Sequence, residues 1–392
     1  MSVSEIMSNT EFQMSLLLFV ALAGYLISYR INQSAVVGII VMGIIVGPSL
    51  LDLIHYTDFV SILAHLGAIV LLFTIGLEFE IKEITRLKYF FIALFGILVP
   101  AVGGFFVSKW FDLDFKACIF VGTALTATSI AITANVLREM GKLQTEAAKA
   151  IIGAAVIDDV LALLALSVSQ GVVSGDISAV SLIITGAKAL GFIVVGGLIG
   201  QFALRKLLAR LDKARICRMY PESMFIFAIM IAFFYALSAE LVELSAIVGS
   251  FLAGASFANM KLETGKIFRE GAHHLQIIFA SVFFISLGVL MDLHEINLNM
   301  LIFIVVLTVV ALLTKFIGCG LTARVAGLCW KDSAIIGLGM GPRGEVAMIV
   351  ALIGLNAGLI SQSVYAAVIL MSLLTTIIPP LLFRNLIYKP TC

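Results

Sequence analysis

Charge is what this chain has least of. Only 12% of its 392 residues are Asp, Glu, Lys or Arg, against about 25% in soluble domains. Hydrophobic residues make up 61%, and the mean hydropathy is +1.14. So few charges cannot wet the surface of a globule this size, which excludes a soluble fold. Long polar stretches are missing too. A spanning helix needs about 20 mostly apolar residues, and thirteen such runs can be read, roughly at 13–30, 34–51, 59–78, 87–109, 116–137, 147–169, 179–203, 222–239, 243–259, 273–291, 298–323, 333–355 and 363–383. The loops left between them are too short for a nucleotide-binding, kinase or nucleic-acid-binding module, so neither nucleotide nor nucleic acid is an expected partner. Alternating apolar and polar patterning is absent, which excludes a β-barrel. Cys118, Cys217, Cys319, Cys329 and Cys392 include no CxxC pair; they read as small apolar residues, neither a disulfide framework nor a metal site. The N-terminus lacks a basic segment and a small-residue cleavage site, so the first span is expected to be retained. An all-α membrane protein remains.

The net charge is only +1, but its distribution is lopsided. Connections after odd-numbered spans, together with the C-terminal tail, hold 20 of the 25 Lys and Arg residues; the opposite side has only Lys109 and Lys116, and Lys188, Lys315 and Arg343 fall inside spans. The positive-inside rule then puts the N-terminus outside and the C-terminus in the cytoplasm of a cell's plasma membrane. The densest basic stretch, Arg205 to Arg218, reads as a cytoplasmic loop anchoring the topology after span 7. Thirteen divides as six, one and six: two six-helix repeats of inverted topology joined by a linker helix, an arrangement many secondary transporters use. Span 5 is interrupted by Thr123, Thr126, Thr128, Ser129 and Thr133, and its counterpart, span 12, by Gly337, Gly339, Gly341, Pro342 and Gly344. Broken helices at matching places in two halves point to a midplane substrate site.

Span 6 carries Asp158 and Asp159 with apolar residues on both sides. A charge at a helix centre costs about 2.5–3.5 kcal/mol to insert. Neighbouring positions differ by about 100° around a helix, so one packing seam cannot hide both, and each needs a wet cavity or a counter-charge. Lys315, deep in span 11, is the natural partner for one of them. Arg343 and Glu345 lie in the broken part of span 12, where they either re-satisfy exposed helix ends or take part in transport. Two carboxylates, hydroxyls from Thr and Ser, and freed carbonyls supply the oxygens a hard monovalent cation takes. Protons would compete for the same carboxylates, so a carrier crossing with one or the other exchanges cation for proton. No catalytic group and no cofactor is expected. An intramembrane aspartyl protease would need carboxylates facing one another from separate helices. A passive channel and a potassium/proton exchanger compete with the sodium/proton exchanger as readings of the same residues.

The stretch Gly153 to Val160, the break Thr126-Ala127-Thr128-Ser129 followed by Thr133, Lys315, and Pro342-Arg343-Gly344-Glu345-Val346 resemble the monovalent cation:proton antiporter-2 family, above all its NapA-type sodium/proton exchangers. The likeness extends over essentially the whole chain. It implies a homodimer in membrane lipid and an elevator-like mechanism. Residues 1–81 and 221–296 would be the dimerisation scaffold, 82–171 and 297–388 the ion-transport core, and 172–220 the linker helix with its basic loop. It also implies Asp159 as main ligand for transient Na+ (or Li+), Asp158 paired with Lys315, Thr128 and Ser129 lining the site, and electrogenic exchange of two protons for one sodium. Potassium-efflux relatives usually have Gln-Asp in place of Asp158-Asp159 and append a nucleotide-binding domain; this chain ends nine residues after its last span, and that regulation is not expected. His65, His273 and His274 read as helix-end or interfacial residues, Glu78 and Glu80 as solvated charges, and Gly38, Gly43 and Gly47 as close-packing positions.

Overall fold

In a computed structural model of the chain, residues 9–79, 86–174, 179–220, 222–258, 260, 265–291 and 298–383 are described. The helices begin where short polar side chains can take up free N–H groups. Asn9 accepts from Glu11 and Phe12 at 2.9 and 3.1 Å and starts α1 (Thr10–Arg30). Thr57 caps α3 (Asp58–Gly76), Asp114 caps α5 (Phe115–Ala124), Ser245 caps α12 (Ala246–Phe257) and Ser361 caps α18 (Gln362–Leu382). The remaining helices are α2 (Ala35–Val46), α4 (Leu87–Trp110), α6 (Ile130–Glu139), α7 (Glu146–Ser174), α8 (Ala179–Leu198), α9 (Arg205–Asp212), α10 (Arg215–Met219), α11 (Glu222–Glu240), α13 (Gly265–Val289), α14 (Leu298–Lys315), α15 (Thr322–Val325), α16 (Trp330–Gly339) and α17 (Glu345–Asn356). No strand occurs among the described residues. Nine of the helices among them are long and apolar enough to cross a membrane, and four shorter apolar helices accompany them. The chain is a multi-pass membrane protein.

Packing sorts the helices into two sets. One contains α1–α3 and α11–α13; the other contains α4–α7 and α14–α18. Close approach in the first set relies on glycine. A Cβ on Gly43 of α2 would lie 3.1 Å from the Cα of Gly288 in α13, and one on Gly254 of α12 would lie 3.0 Å from the Cα of Gly76 in α3. Helices this close gain dispersion contacts that lipid cannot replace. Between the sets, contacts are sparser, chiefly α6 with α2 and α3 and α18 with α2. Helix α8 touches both, lying on α7 from one set and on α11 and α12 from the other.

The basic stretch after residue 203 departs from the loop expected of it. A π-helical turn, Ile199–Leu204, carries α8 directly into α9, so the helix runs on to Asp212. Leu204 and Leu208 are buried with Cys217 and Met224, and that apolar stripe holds the segment helical despite its charge. A second π-turn, Phe316–Leu321, joins α14 to α15 immediately after Lys315. Wide turns of this kind interrupt the regular ladder and are frequent at functional sites.

Candidate ion-binding site

The break between α5 and α6 crosses the break between α16 and α17. Ser129 N–H donates to the Pro342 carbonyl at 2.9 Å, joining the two extended segments directly. The Thr133 hydroxyl adds a second link, donating to Gly339 O at 2.7 Å. Helix α18 secures the crossing from behind: Thr376 Oγ1 donates to Arg343 O at 2.7 Å, and Arg343 N–H donates to Thr375 Oγ1 at 3.2 Å.

Each break exposes a helix C-terminus, the negative end of a dipole, and each has its own buried cation. Lys315 Nζ donates to Thr126 O at 2.8 Å, at the end of α5, and to Gly96 O at 2.7 Å. Arg343 donates from Nη1 to Met340 O, at the end of α16, and from Nη2 to Ala311 O, both at 3.3 Å. Both side chains are fully buried. Arg343 thus donates to a carbonyl at a helix end. Glu345 opens α17, and its side chain lies outside the described residues.

Asp158 and Asp159, one step apart on α7, point in different directions, as i and i+1 must. Asp158 is fully buried, and its Oδ1 accepts from Lys315 Nζ at 3.0 Å. The Thr128 hydroxyl, on a side chain only 4% exposed, faces the same Asp158 carboxylate. Asp159 turns the other way and is 9% exposed. It lines a cavity of about 410 Å³ whose walls include Leu166, Ile349 and Ser245 and whose rim carries His65, Glu240 and Glu243. His65 and Glu240 meet at 3.3 Å, and Lys188 and Glu243 at 3.9 Å. Beside it lies a constriction of about 10 Å³, about the smallest space that holds one water. Asp159, Thr128 and Ser129 from one helix set and Ser245 from the other line this space.

Polar contacts join the two sets at the opposite end. Glu139 Oε2 accepts from Ser34 Oγ at 2.6 Å and from Ala35 N at 3.1 Å. Arg138 donates to Gln276, whose own amide reaches Asn135 Oδ1 at 3.4 Å. Cavities of about 630 and 380 Å³ lie on that side, and Asp159 lines neither.

Sequence reasoning missed Ser245, Gln276 and the carbonyls of Gly96 and Thr126. Only the glycine at 96 offered a hint. Of the histidines, His65 pairs with a carboxylate and His273 lines the cavity of about 630 Å³. Cys118, Cys217 and Cys319 are buried free thiols, Cys329 is exposed, and Cys392 and Glu80 lie outside the described residues.

Gly344 makes the crossing tight. A Cβ there would lie 2.8 Å from both Cβ and Oγ of Ser129, so the two breaks would have to separate. Gly344→Ala is expected to lower the melting temperature in detergent while the helical content by circular dichroism stays unchanged, as overpacking a tight contact does; a wild-type melting temperature would mean the crossing tolerates separation.

Residues 16–384 match the family described as sodium/hydrogen exchanger, transmembrane. The chain is 36% identical over 374 residues to the Na+/H+-K+ antiporter GerN of Bacillus cereus, covering 94% of each chain. It is 31% identical to a Na+/H+ antiporter of Enterococcus hirae, covering 94% of this chain and 96% of that one. Its fold is similar to that of the sodium proton antiporter MjNhaP1 from Methanocaldococcus jannaschii, with a TM-score of 0.72 and 96% of both chains covered at 17% identity. With all but the ends of the sequence matched and the helical architecture shared, this chain belongs to the sodium/hydrogen exchanger family, whose members are membrane transporters and not enzymes.

Proposed function

We propose that the protein exchanges Na+ or Li+ for protons, with cation and protons taking turns at Asp159 and Asp158. The observation that carries this reading is the division of labour within the aspartate pair: Lys315 holds Asp158 in a sealed interior, while Asp159 stands at the floor of an open cavity. A cation entering the constriction would meet the Asp159 carboxylate and the hydroxyls of Thr128 and Ser129 and displace a proton. Its field, added to a few ångströms of rearrangement, would also weaken the Asp158–Lys315 pair, so that a second proton leaves. Two protons against one Na+ moves one net charge per cycle, worth about 2.3 kcal/mol per 100 mV of membrane potential.

In this reading thirteen spans form the two inverted repeats, α4–α7 and α14–α18 are the moving core, α1–α3 and α11–α13 the scaffold of a homodimer, and α8 the link. The sparse contacts between the two helix sets support sliding of one against the other. With the basic connections in the cytoplasm, the Asp159 cavity opens to the outside, and the polar seal at Arg138, Gln276 and Glu139 closes the cytoplasmic side. The plasma membrane is the proposed location.

Potassium is the second reading, favoured by the likeness to GerN, which is named for both ions. Proteoliposomes holding a proton gradient and a pH dye separate the two. Na+ or Li+ is expected to collapse the gradient at least tenfold more effectively than K+, with the apparent KM for Na+ rising as the pH falls and the maximal rate unchanged, as competition requires. Collapse by K+ alone would transfer the assignment to potassium, and no collapse by any alkali cation would end the exchanger reading.

A further inference from the structure

Ser245 stands on the wrong side of the interface to belong to the aspartate pair's own bundle, yet it lines the same constriction as Asp159, Thr128 and Ser129. It precedes α12, in the helix set that packs with α3 and α11. Its hydroxyl oxygen accepts from Ile247 N–H at 3.3 Å. A hydroxyl oxygen has two lone pairs, so one is left over. The start of a helix is a positive end that by itself repels a cation; the Ser245 oxygen covers that end and presents a lone pair in its place. Across the gap, Ser129 and Asp159 line the same space from the other helix set. A carboxylate and a hydroxyl residue from one side and a hydroxyl from the other, around space for a single small occupant, match the oxygen donors that hard cations take.

We propose that Ser245 completes the shell of the transported alkali cation from the opposite helix set, which makes tight binding a property of the state open towards Glu240. This rests on the exchanger reading above. When the two helix sets slide, Asp159, Thr128 and Ser129 travel together and Ser245 stays behind. The cation then loses one oxygen and is released more easily on the far side. The transporter's affinity becomes unequal on its two faces through one hydroxyl, with no change in the carboxylates.

Capping and ligation make different demands on residue 245. Glycine serves as an N-cap nearly as well as serine, whereas alanine does not; neither can ligate. Threonine does both. The test is side-specific Na+ kinetics of the full chain in right-side-out and inside-out vesicles. Ser245→Gly and Ser245→Ala are each expected to raise the KM for Na+ three- to tenfold on the Glu240 side, with the KM on the other side and the maximal rate within twofold of wild type. Ser245→Thr should behave as wild type. A defect in Ser245→Ala alone would reduce the residue to a cap and overturn the proposal, as would an equal KM rise on both faces or no change in either variant. A wild-type chain that moves no alkali cation would overturn the exchanger reading itself, and this inference with it; normal wild-type exchange beside unaltered variants overturns only the part given to Ser245.

Discussion

Asp159→Asn is expected to abolish exchange, lowering Na+-driven proton movement at least a hundredfold, while the protein folds and melts as the wild type does. The carboxamide has nearly the same shape and keeps an oxygen acceptor, but it can neither release a proton near neutral pH nor neutralise a bound cation. A competitive exchanger needs both. Stability should survive because Asp159 faces a cavity; the fully buried charge next to it has its own partner in Lys315. Purified chain reconstituted with a pH dye gives the rate, and thermal unfolding in detergent gives the control. If Asp159→Asn exchanged Na+ for protons at the normal rate, the carboxylate would not be the shared site and the mechanism would fail.

Removing Lys315 should have the second largest effect, and on stability first. Lys315→Met leaves the Asp158 carboxylate buried without its counter-charge and leaves the carbonyls of Gly96 and Thr126 without a donor. Losing one partner of a buried pair costs about 3–5 kcal/mol, enough to lower the melting temperature by several degrees. Replacing both members is a different matter. The double variant Lys315→Met with Asp158→Asn removes the unpaired charge, and exchanges of whole buried pairs for neutral groups are often neutral in stability. The double variant is therefore expected to regain most of the lost melting temperature. It should also pass no net current during exchange on a solid-supported membrane, because the proton and the charge associated with the pair are both gone. An unchanged melting temperature in Lys315→Met would deny the ion pair any structural weight. A voltage-coupled current in the double variant would place the second proton elsewhere.

Local chemistry alone puts this chain in a membrane, breaks two of its helices and leaves a pair of aspartates in need of relief from lipid. A run of apolar residues, a cluster of glycines with a proline, and two adjacent carboxylates each carry their free-energy consequence wherever the rest of the chain goes. Asp158 and Asp159 were bound to diverge, because the helix rotates between them. Which of the two would be sealed and which would face the cavity depended on where Lys315 of α14 arrives relative to α7, and no local pattern encodes that. The same holds for Ser245, which in the sequence is a helix cap among several and becomes part of a cation-sized space only when α12 is brought against the crossing of α6 and α17. The helical course of the basic stretch to Asp212 was likewise hidden, since its charges outweigh the few leucines in any local reading and only burial against Cys217 and Met224 reverses the balance. Local composition sets the cost of putting a group in lipid, whereas the partner that offsets this cost comes from a distant part of the chain, and tertiary packing chooses it.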